Sequence, residues 1–328
     1  MTNKTETFKS KLKASVREGL LKGIKGLFWL LKIIVPISFV TALLVHFGII
    51  YKLDFILAPA MKILALPSEA ALPIIIGLFT GIYGAVASMA VIPLSIEHMT
   101  LIAIFLLISH NIIQESMVQG QSGINPFVAA GFRIFISFIV TFVCAKIMGA
   151  NSLVVTGKKA AMVGQNSVTF LPMIEIWAVD ILQLSTKIFL IIMPLMVVFE
   201  VAKKFSLIDY VTKLISPIVS ILGLSRPTGM LWLTAAFFGL AYGAAVIVEE
   251  TKVNSYKKEE LVRLHLSIGI NHAMIEDPAL FIPLGLSAVW LWIPRLVAAL
   301  CAAYLYIFFC FVRRLYVKRA FHKKFCNN

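Results

Sequence analysis

The sequence predicts an all-α, polytopic membrane protein built from two homologous repeats, with roughly eight transmembrane segments and broken or re-entrant helices among them. Three observations lead there. The chain is 60% hydrophobic and only 14% charged, with a mean hydropathy of +0.93, whereas soluble domains run near a quarter charged. Its apolar runs recur at lengths near the 20 or so residues that one crossing requires. And a polar motif that closes one such run, Ser109-His110-Asn111-Ile112-Ile113-Gln114-Glu115-Ser116, returns as Asn271-His272-Ala273-Met274-Ile275-Glu276-Asp277-Pro278.

The net charge of +14 is concentrated at the ends. Residues 1–25 carry seven Lys and Arg against Glu6 and Glu18, a net +5, and residues 311–328 carry six with no acid, a net +6. Basic residues flanking membrane spans stay cytoplasmic, so both termini are expected inside and the number of crossings even. Contact with anionic lipid accounts for the remaining charge, and nucleic-acid binding is not expected. Cys144, Cys301, Cys310 and Cys326 lack metal-type spacing and read as buried thiols. A cleavable signal peptide is not expected, because the basic region is long and the first apolar run lacks a small-residue cleavage site.

Taken in order, residues 1–26 form a basic amphipathic segment, with Phe8, Leu12, Val16, Leu20 and Ile24 at steps of four as in a helix lying on the membrane surface. Residues 27–149 form the first membrane repeat. Its first span, Leu27 to Ile50, contains Pro36, and a shorter piece follows to Leu64. Pro67 stops one element and Ser68 can cap the next. The stretch Ala70 to Ile92 is interrupted by Gly77, Gly81 and Gly84, which fits either close packing or a helix broken where it lines a cavity. Ser95 can cap the helix that ends in the His110 motif, and Pro126 to Met148 is a further helix carrying Arg133. Residues 150–183 read as a linker, polar at first and amphipathic from Phe170 to Ile181. Residues 184–312 form the second repeat and 313–328 a basic tail.

The repeat rests on spacing. Pro36 and Pro194 differ by 158, as do Pro59 and Pro217; Tyr83-Gly84-Ala85 matches Tyr242-Gly243-Ala244 at 159; His110, Glu115 and Arg133 match His272, Asp277 and Arg295 at 162. Recurring prolines and glycines are common in membrane proteins, but that does not account for His, acid and Arg returning in order. Loop charges do not separate a parallel from an inverted arrangement; the inverted one is expected by analogy with transporters of this size.

Ionisable groups inside spans cost about 2.5–3.5 kcal/mol each on insertion scales, so they face a cavity or one another. The candidates are His110, Glu115, Glu249, Glu250, His272, Glu276 and Asp277, with Asn271 beside them. His272 and Glu276, four apart, would share a helix face. Glu115 to Arg133 and Asp277 to Arg295 are both 18 apart, consistent with one structural ion pair per hairpin. Such a set can relay protons, hold a cation or hydrogen-bond a polar heterocycle. No Walker loop, nucleophile elbow, paired-histidine zinc helix or dinucleotide fingerprint occurs, so neither an enzyme nor a cofactor is expected beyond H+ or another cation as coupling ion.

Leu66-Pro67-Ser68-Glu69-Ala70-Ala71-Leu72-Pro73, the glycine-broken Gly77 to Ser88, and Ser109-His110 to Glu115 together resemble the Gate, or nucleoside recognition, family of bacterial membrane proteins. That family looks related to spore maturation membrane proteins, the membrane core of ferrous iron transporters and concentrative nucleoside transporters. The resemblance implies a permease-like helical fold in a bacterial cytoplasmic membrane. Its binding site would lie where the two broken segments meet, near Thr80, Tyr83 and Tyr242. Ferrous iron transporters carry a cysteine in this break, and Phe79 to Ala85 has none. The expected function is a permease for a small polar solute, nucleoside-like or a cation, coupled to protons or another ion. The alternative is an intramembrane partner or assembly subunit, working as a homo-oligomer or with a second membrane subunit.

Overall fold

The computed structural model describes residues 8–49, 54–150, 169–205, 207, 210, 219–253 and 256–326, of which 54–57, 238, 240–246, 252–253 and 317–326 are described in backbone only. The polar part of the expected linker, Asn151 to Ser167, lies outside these residues, as do Pro217 and the side chains of Tyr242 and Cys326. The described elements are helical: α1 Phe8–His46, α2 Asp54–Ile63, a 3-10 turn Ser68–Ala70, α3 Ala71–Thr80, α4 Ile82–Met89, α5 Ile96–Ser109, α6 Ile112–Gly120 and α7 Pro126–Met148 in the first half. The second half holds α8 Phe170–Lys204, α9 Arg226–Val253, α10 Lys258–Ile270, α11 Glu276–Phe281, a 3-10 turn Ile282–Leu284 and α12 Ala288–Cys326. Among the described residues, five helical stretches are long and apolar enough to cross a membrane: α1, α5 with α6, α7, α8 and α12.

The first helix departs from the expectation of a surface segment followed by a separate span. Phe8–His46 is one helix of 39 residues, about 58 Å long at 1.5 Å per residue and so longer than the bilayer core. Ser15, Gly19 and Gly23, four apart, are buried on one stripe. A Cβ on Gly19 would stand 2.6 Å from Val197 Cα, and one on Gly23 would stand 2.6 Å from Met193 Sδ. Small residues at this spacing let two backbones approach where apolar burial alone provides no drive, because lipid tails are as apolar as the helices. That contact requires α1 to continue through its amphipathic start.

Its partner α8 is likewise continuous from Phe170, so the amphipathic stretch to Ile181 is the first third of a 35-residue helix. The two run in opposite directions. Phe8 packs against Phe205, Lys22 pairs with Glu200 at 2.9 Å, Trp177 Nε1 donates to Ser38 Oγ at 3.1 Å, and His46 meets Phe170. Lys9, Lys11, Lys13 and Arg17 therefore lie at the same end of the pair as Lys203 and Lys204.

Between α3 and α4 the chain folds back on itself. Gly81 has φ 89°, a conformation that glycine adopts without steric cost. A Cβ on Gly84 would meet Ile76 Cγ2 at 2.7 Å, and one on Gly77 would meet Ala85 Cβ at 3.1 Å. Residues eight apart lie about 12 Å apart along a continuous helix, so these contacts define a hairpin. Apolar composition counts residues and not their direction, which is why Ala70–Ile92 reads as a span. In the second half α9 contains the corresponding break at Gly239, φ 77° and ψ 171° against 89° and −178° at Gly81.

Local signals act as the sequence indicates at two caps and not at a third. Ser95 Oγ accepts from His98 N at the start of α5, and Asn125 Oδ1 accepts from Phe127 N and Val128 N ahead of Pro126. Ser68 caps nothing; its hydroxyl instead donates to Glu69 Oε2. The centre of the molecule is α5, whose residues Leu101 to Ile108 are all buried among α3, α7 and α12. Phe28, Trp29, Phe135, Leu171, Phe308 and Phe309 are exposed on the outer faces of the long helices, where acyl chains solvate them. Cys144 is buried as expected, whereas Cys301 lies on the outer face of α12.

Candidate functional site

Each half supplies one turn to the site. The helix α5 ends at Ser109, and Asn111 takes φ 46° and ψ 39°, so the motif leaves the helix axis before α6 begins. In the second half α10 ends at Ile270, and Ala273, at the matching position, takes φ 44°. Asparagine tolerates this region; alanine pays roughly 1–2 kcal/mol for it, strain of the kind held at functional turns. Each turn is fastened to a hairpin tip. Asn111 N donates to Gly77 O at 3.1 Å, while Ala273 N and Met274 N donate to Ala235 O and Ala236 O at 3.2 and 2.7 Å. A Cβ on Gly81 would lie 2.8 Å from Asn111 Nδ2, and one on Gly239 would lie 3.5 Å from Ala273 Cβ.

The two histidines are oriented identically. His110 Nδ1 is 2.9 Å from Leu106 O and His272 Nδ1 is 3.0 Å from Ile268 O. A carbonyl only accepts, so both Nδ1 atoms carry hydrogen and both Nε2 atoms are turned inward. The rings face one another with centroids 5.1 Å apart. The arginines repeat the symmetry. Arg133 Nε and Nη2 donate to Ile108 O and His110 O at 2.8 and 3.0 Å, and Arg295 Nε and Nη2 donate to Ile270 O and His272 O at 3.1 and 2.6 Å. Those carbonyls are the unpaired C-terminal acceptors of α5 and α10. Each guanidinium thus closes a helix end deep inside the protein.

The acids break the symmetry. Glu115 Oε1 lies 3.1 Å from His110 Nε2, and Glu115 Oε2 lies 2.6 Å from Arg133 Nη2 and 3.2 Å from His272 Nε2. One carboxylate therefore touches both histidines, one from each half. Asp277 does not reach Arg295 within ion-pair distance among the described residues, so the expected second ion pair is absent. Its Oδ2 stands 3.5 Å from His110 Nε2 instead. The reason is local: α6 restarts at Ile112, directly after its left-handed residue, whereas Met274 and Ile275 delay α11 to Glu276 and carry Asp277 toward the opposite half. His272 and Glu276 do not share a helix face either, because α10 ends at Ile270, before His272, and α11 begins only at Glu276. Glu276 is reached from the other half, accepting from Tyr83 Oη at 3.1 Å.

Of the residues singled out from the sequence, His110, Glu115, His272, Asp277 and Arg133 converge directly. Arg295 joins through the backbone of His272, and Glu276 and Tyr83 form the next layer. Asn271 is buried beside His272, with neither amide atom hydrogen-bonded among the described residues. Thr80 stands apart, exposed and bonded to Ile76 O of its own helix. Tyr242 lies on α9 close to the Gly239 break, its side chain outside the described residues. Glu249 and Glu250 fall near the end of α9.

Sequence reasoning missed the left-handed turn at Asn111 and Ala273, although their offset of 162 matches that of the histidines. It also missed a buried bridge between the halves, in which Gln119 Nε2 donates to His265 O at 3.0 Å and Ser122 Oγ lies 3.1 Å from His265 Nε2. Nothing in the repeat pattern marks this bridge, since the position matching His265 is Ala103.

Fold and site together define a polytopic α-helical membrane protein with a charged centre shared between its two halves. Among known proteins, the chain is similar to the uncharacterized membrane protein YvoD of Bacillus subtilis (strain 168). The two are 27% identical over 279 residues, covering 83% of this chain and 87% of that protein. No protein-family model matches the chain. No solved structure matches it.

Proposed function

We propose that the protein is a permease of the bacterial cytoplasmic membrane, both termini cytoplasmic, that moves a small polar solute or cation with H+ or another cation as coupling ion. One observation carries this reading: Glu115 lies within 3.2 Å of both His110 and His272, so the motif turns of the two halves share a buried carboxylate. A purely structural tie does not require two imidazoles with their Nε2 atoms turned onto one another's acid. Buried ionisable groups at helix breaks in a membrane protein are the usual materials of a binding or relay site. Among the described residues no nucleophile and base set for chemistry accompanies them, which favours transport over catalysis.

The antiparallel run of α1 and α8, helices at matching positions of the repeat, supports an inverted arrangement. With each hairpin counted as re-entrant, α1, α5 with α6, and α7 give an odd number of crossings per half. Two such halves return the C-terminus to the side of the N-terminus. The shared basic end of α1 and α8 supports placing that side in the cytoplasm. The Gate-family resemblance supports the same architecture, with the hairpin tips at Gly81 and Gly239 abutting the two motif turns.

The test is uptake into proteoliposomes by the purified protein, with nucleosides, nucleobases and divalent cations as substrates. His110→Ala and His272→Ala are expected to abolish uptake while leaving insertion and folding intact. Normal uptake by both variants removes the histidines from the mechanism. Transport by the purified chain alone excludes the reading as an assembly subunit.

A further inference from the structure

We infer that the solute bound between the two motif turns is a divalent first-row transition metal ion, held by His110 Nε2, His272 Nε2, Asp277 Oδ2 and Glu115. This rests on the permease reading and names its substrate class.

The first support is convergence. His110, His272 and Asp277 are all buried, and one ligand atom from each lies within 4.8 Å of the others. With metal–ligand bonds of about 2.0–2.2 Å, tetrahedral ligand atoms stand about 3.3–3.5 Å apart. The His110 Nε2 to Asp277 Oδ2 separation is already 3.5 Å, and Glu115 oxygens lie 3.1 and 3.2 Å from the two imidazole nitrogens.

The second support is that these atoms approach one another without satisfying one another. His272 Nε2 and Asp277 Oδ2 are fully buried and make no aligned hydrogen bond, despite neighbours at 3.2 and 3.5 Å. Buried polar atoms left this way are costly unless something else completes them. Buried ligand-type atoms that gather this closely without pairing leave a place for a cation.

The third support is the surrounding shell. A metal-bound histidine donates its other ring N–H to a carbonyl or carboxylate, which fixes its tautomer. His110 and His272 both do so, to Leu106 O and Ile268 O. Glu115 is held from behind by Arg133 at 2.6 Å. With neutral imidazoles, the three acids Glu115, Glu276 and Asp277 exceed the two arginines by one negative charge, which suits a cation. Imidazole and carboxylate without thiolate select the borderline divalent ions rather than soft ones. The 5.1 Å spacing of the rings admits an ion between the ligand atoms and leaves no room there for a heterocycle.

The probe is Co2+ alone, titrated into the full chain in detergent and followed by visible absorption and calorimetry. The expectation is one ion per chain with the absorption of nitrogen and oxygen ligands. Asp277→Asn and His272→Gln, chosen to keep volume and hydrogen-bonding capacity, are expected to weaken binding by at least about tenfold, the lower end of what losing even an outer-shell partner costs. Zinc X-ray absorption on the unaltered chain supplies a readout independent of variant folding, with two imidazole ligands expected. Absence of Co2+ binding, unchanged affinity in the folded variants, or a zinc spectrum without imidazole overturns the inference. Uptake of a nucleoside without metal binding also overturns it while leaving the permease standing. Metal binding at these residues with no transport of any solute supports the site and removes the permease.

Discussion

Replacing Arg133 by methionine isolates the energetic core of the centre. The guanidinium is 1% exposed, donates to two carbonyls at the end of α5 and pairs with Glu115 at 2.6 Å. Removing one partner of a buried pair strands the other charge and costs about 3–5 kcal/mol. Arg295 is an internal control. It is equally buried and makes the same two carbonyl bonds at the end of α10, without an ion pair among the described residues. Arg295→Met therefore loses the helix-end contacts alone, and Arg133→Met should exceed it by about 1–3 kcal/mol, the usual coupling of residues in one network. The assay is reversible unfolding in mixed micelles for five proteins: the unaltered chain, Arg133→Met, Arg295→Met, Glu115→Gln and the Arg133→Met/Glu115→Gln double variant. The double variant should recover part of the loss, because neither charge is then left unpaired. Equal costs for Arg133→Met and Arg295→Met, or strict additivity in the cycle, would refute the assignment of Glu115–Arg133 as the pair that anchors the site.

Three further expectations follow from the geometry. Gly81→Ala and Gly239→Ala place a side chain at positive φ, and at Gly81 also 2.8 Å from Asn111 Nδ2; each should cost more than about 1 kcal/mol in the same unfolding assay, with Gly81→Ala the worse. Gly19→Leu forces a side chain into the Val197 backbone and should lower stability by several kcal/mol, whereas Gly26→Leu, where no atom lies within 4 Å, should be nearly neutral; similar losses at both would discount the α1–α8 contact. In cells, single cysteines at Lys9 and Lys204 should react with an impermeant maleimide from the same side of the membrane, and labelling from opposite sides would contradict the antiparallel pairing.

The break in the third stretch was legible because Gly77, Gly81 and Gly84 interrupt an otherwise apolar run, and only Gly81 turned out to make the turn. The termini of α7 were legible for a similar reason: Asn125 and Pro126 start it, and Gly149 at φ 64° stops it. The continuity of α1 was not. Its amphipathic start resembles a surface helix by periodicity, and the stripe Ser15, Gly19, Gly23 gains meaning only when α8 lies against it. The centre divides likewise. Spacing paired Glu115 with Arg133, and the pair forms; the same spacing paired Asp277 with Arg295, and a two-residue delay in restarting the helix sends Asp277 to His110.

By itself the sequence indicated the membrane setting, the helical class and which polar residues could meet at the centre, because each depends on composition or on spacing along one chain. Only the tertiary structure decided which half each side chain serves. Tyr83 reaches Glu276, Glu115 reaches His272 and Asp277 reaches His110, all across the interface between halves. Helical periodicity relates residues within one element, and it carries no information about a contact made where two helices have already ended.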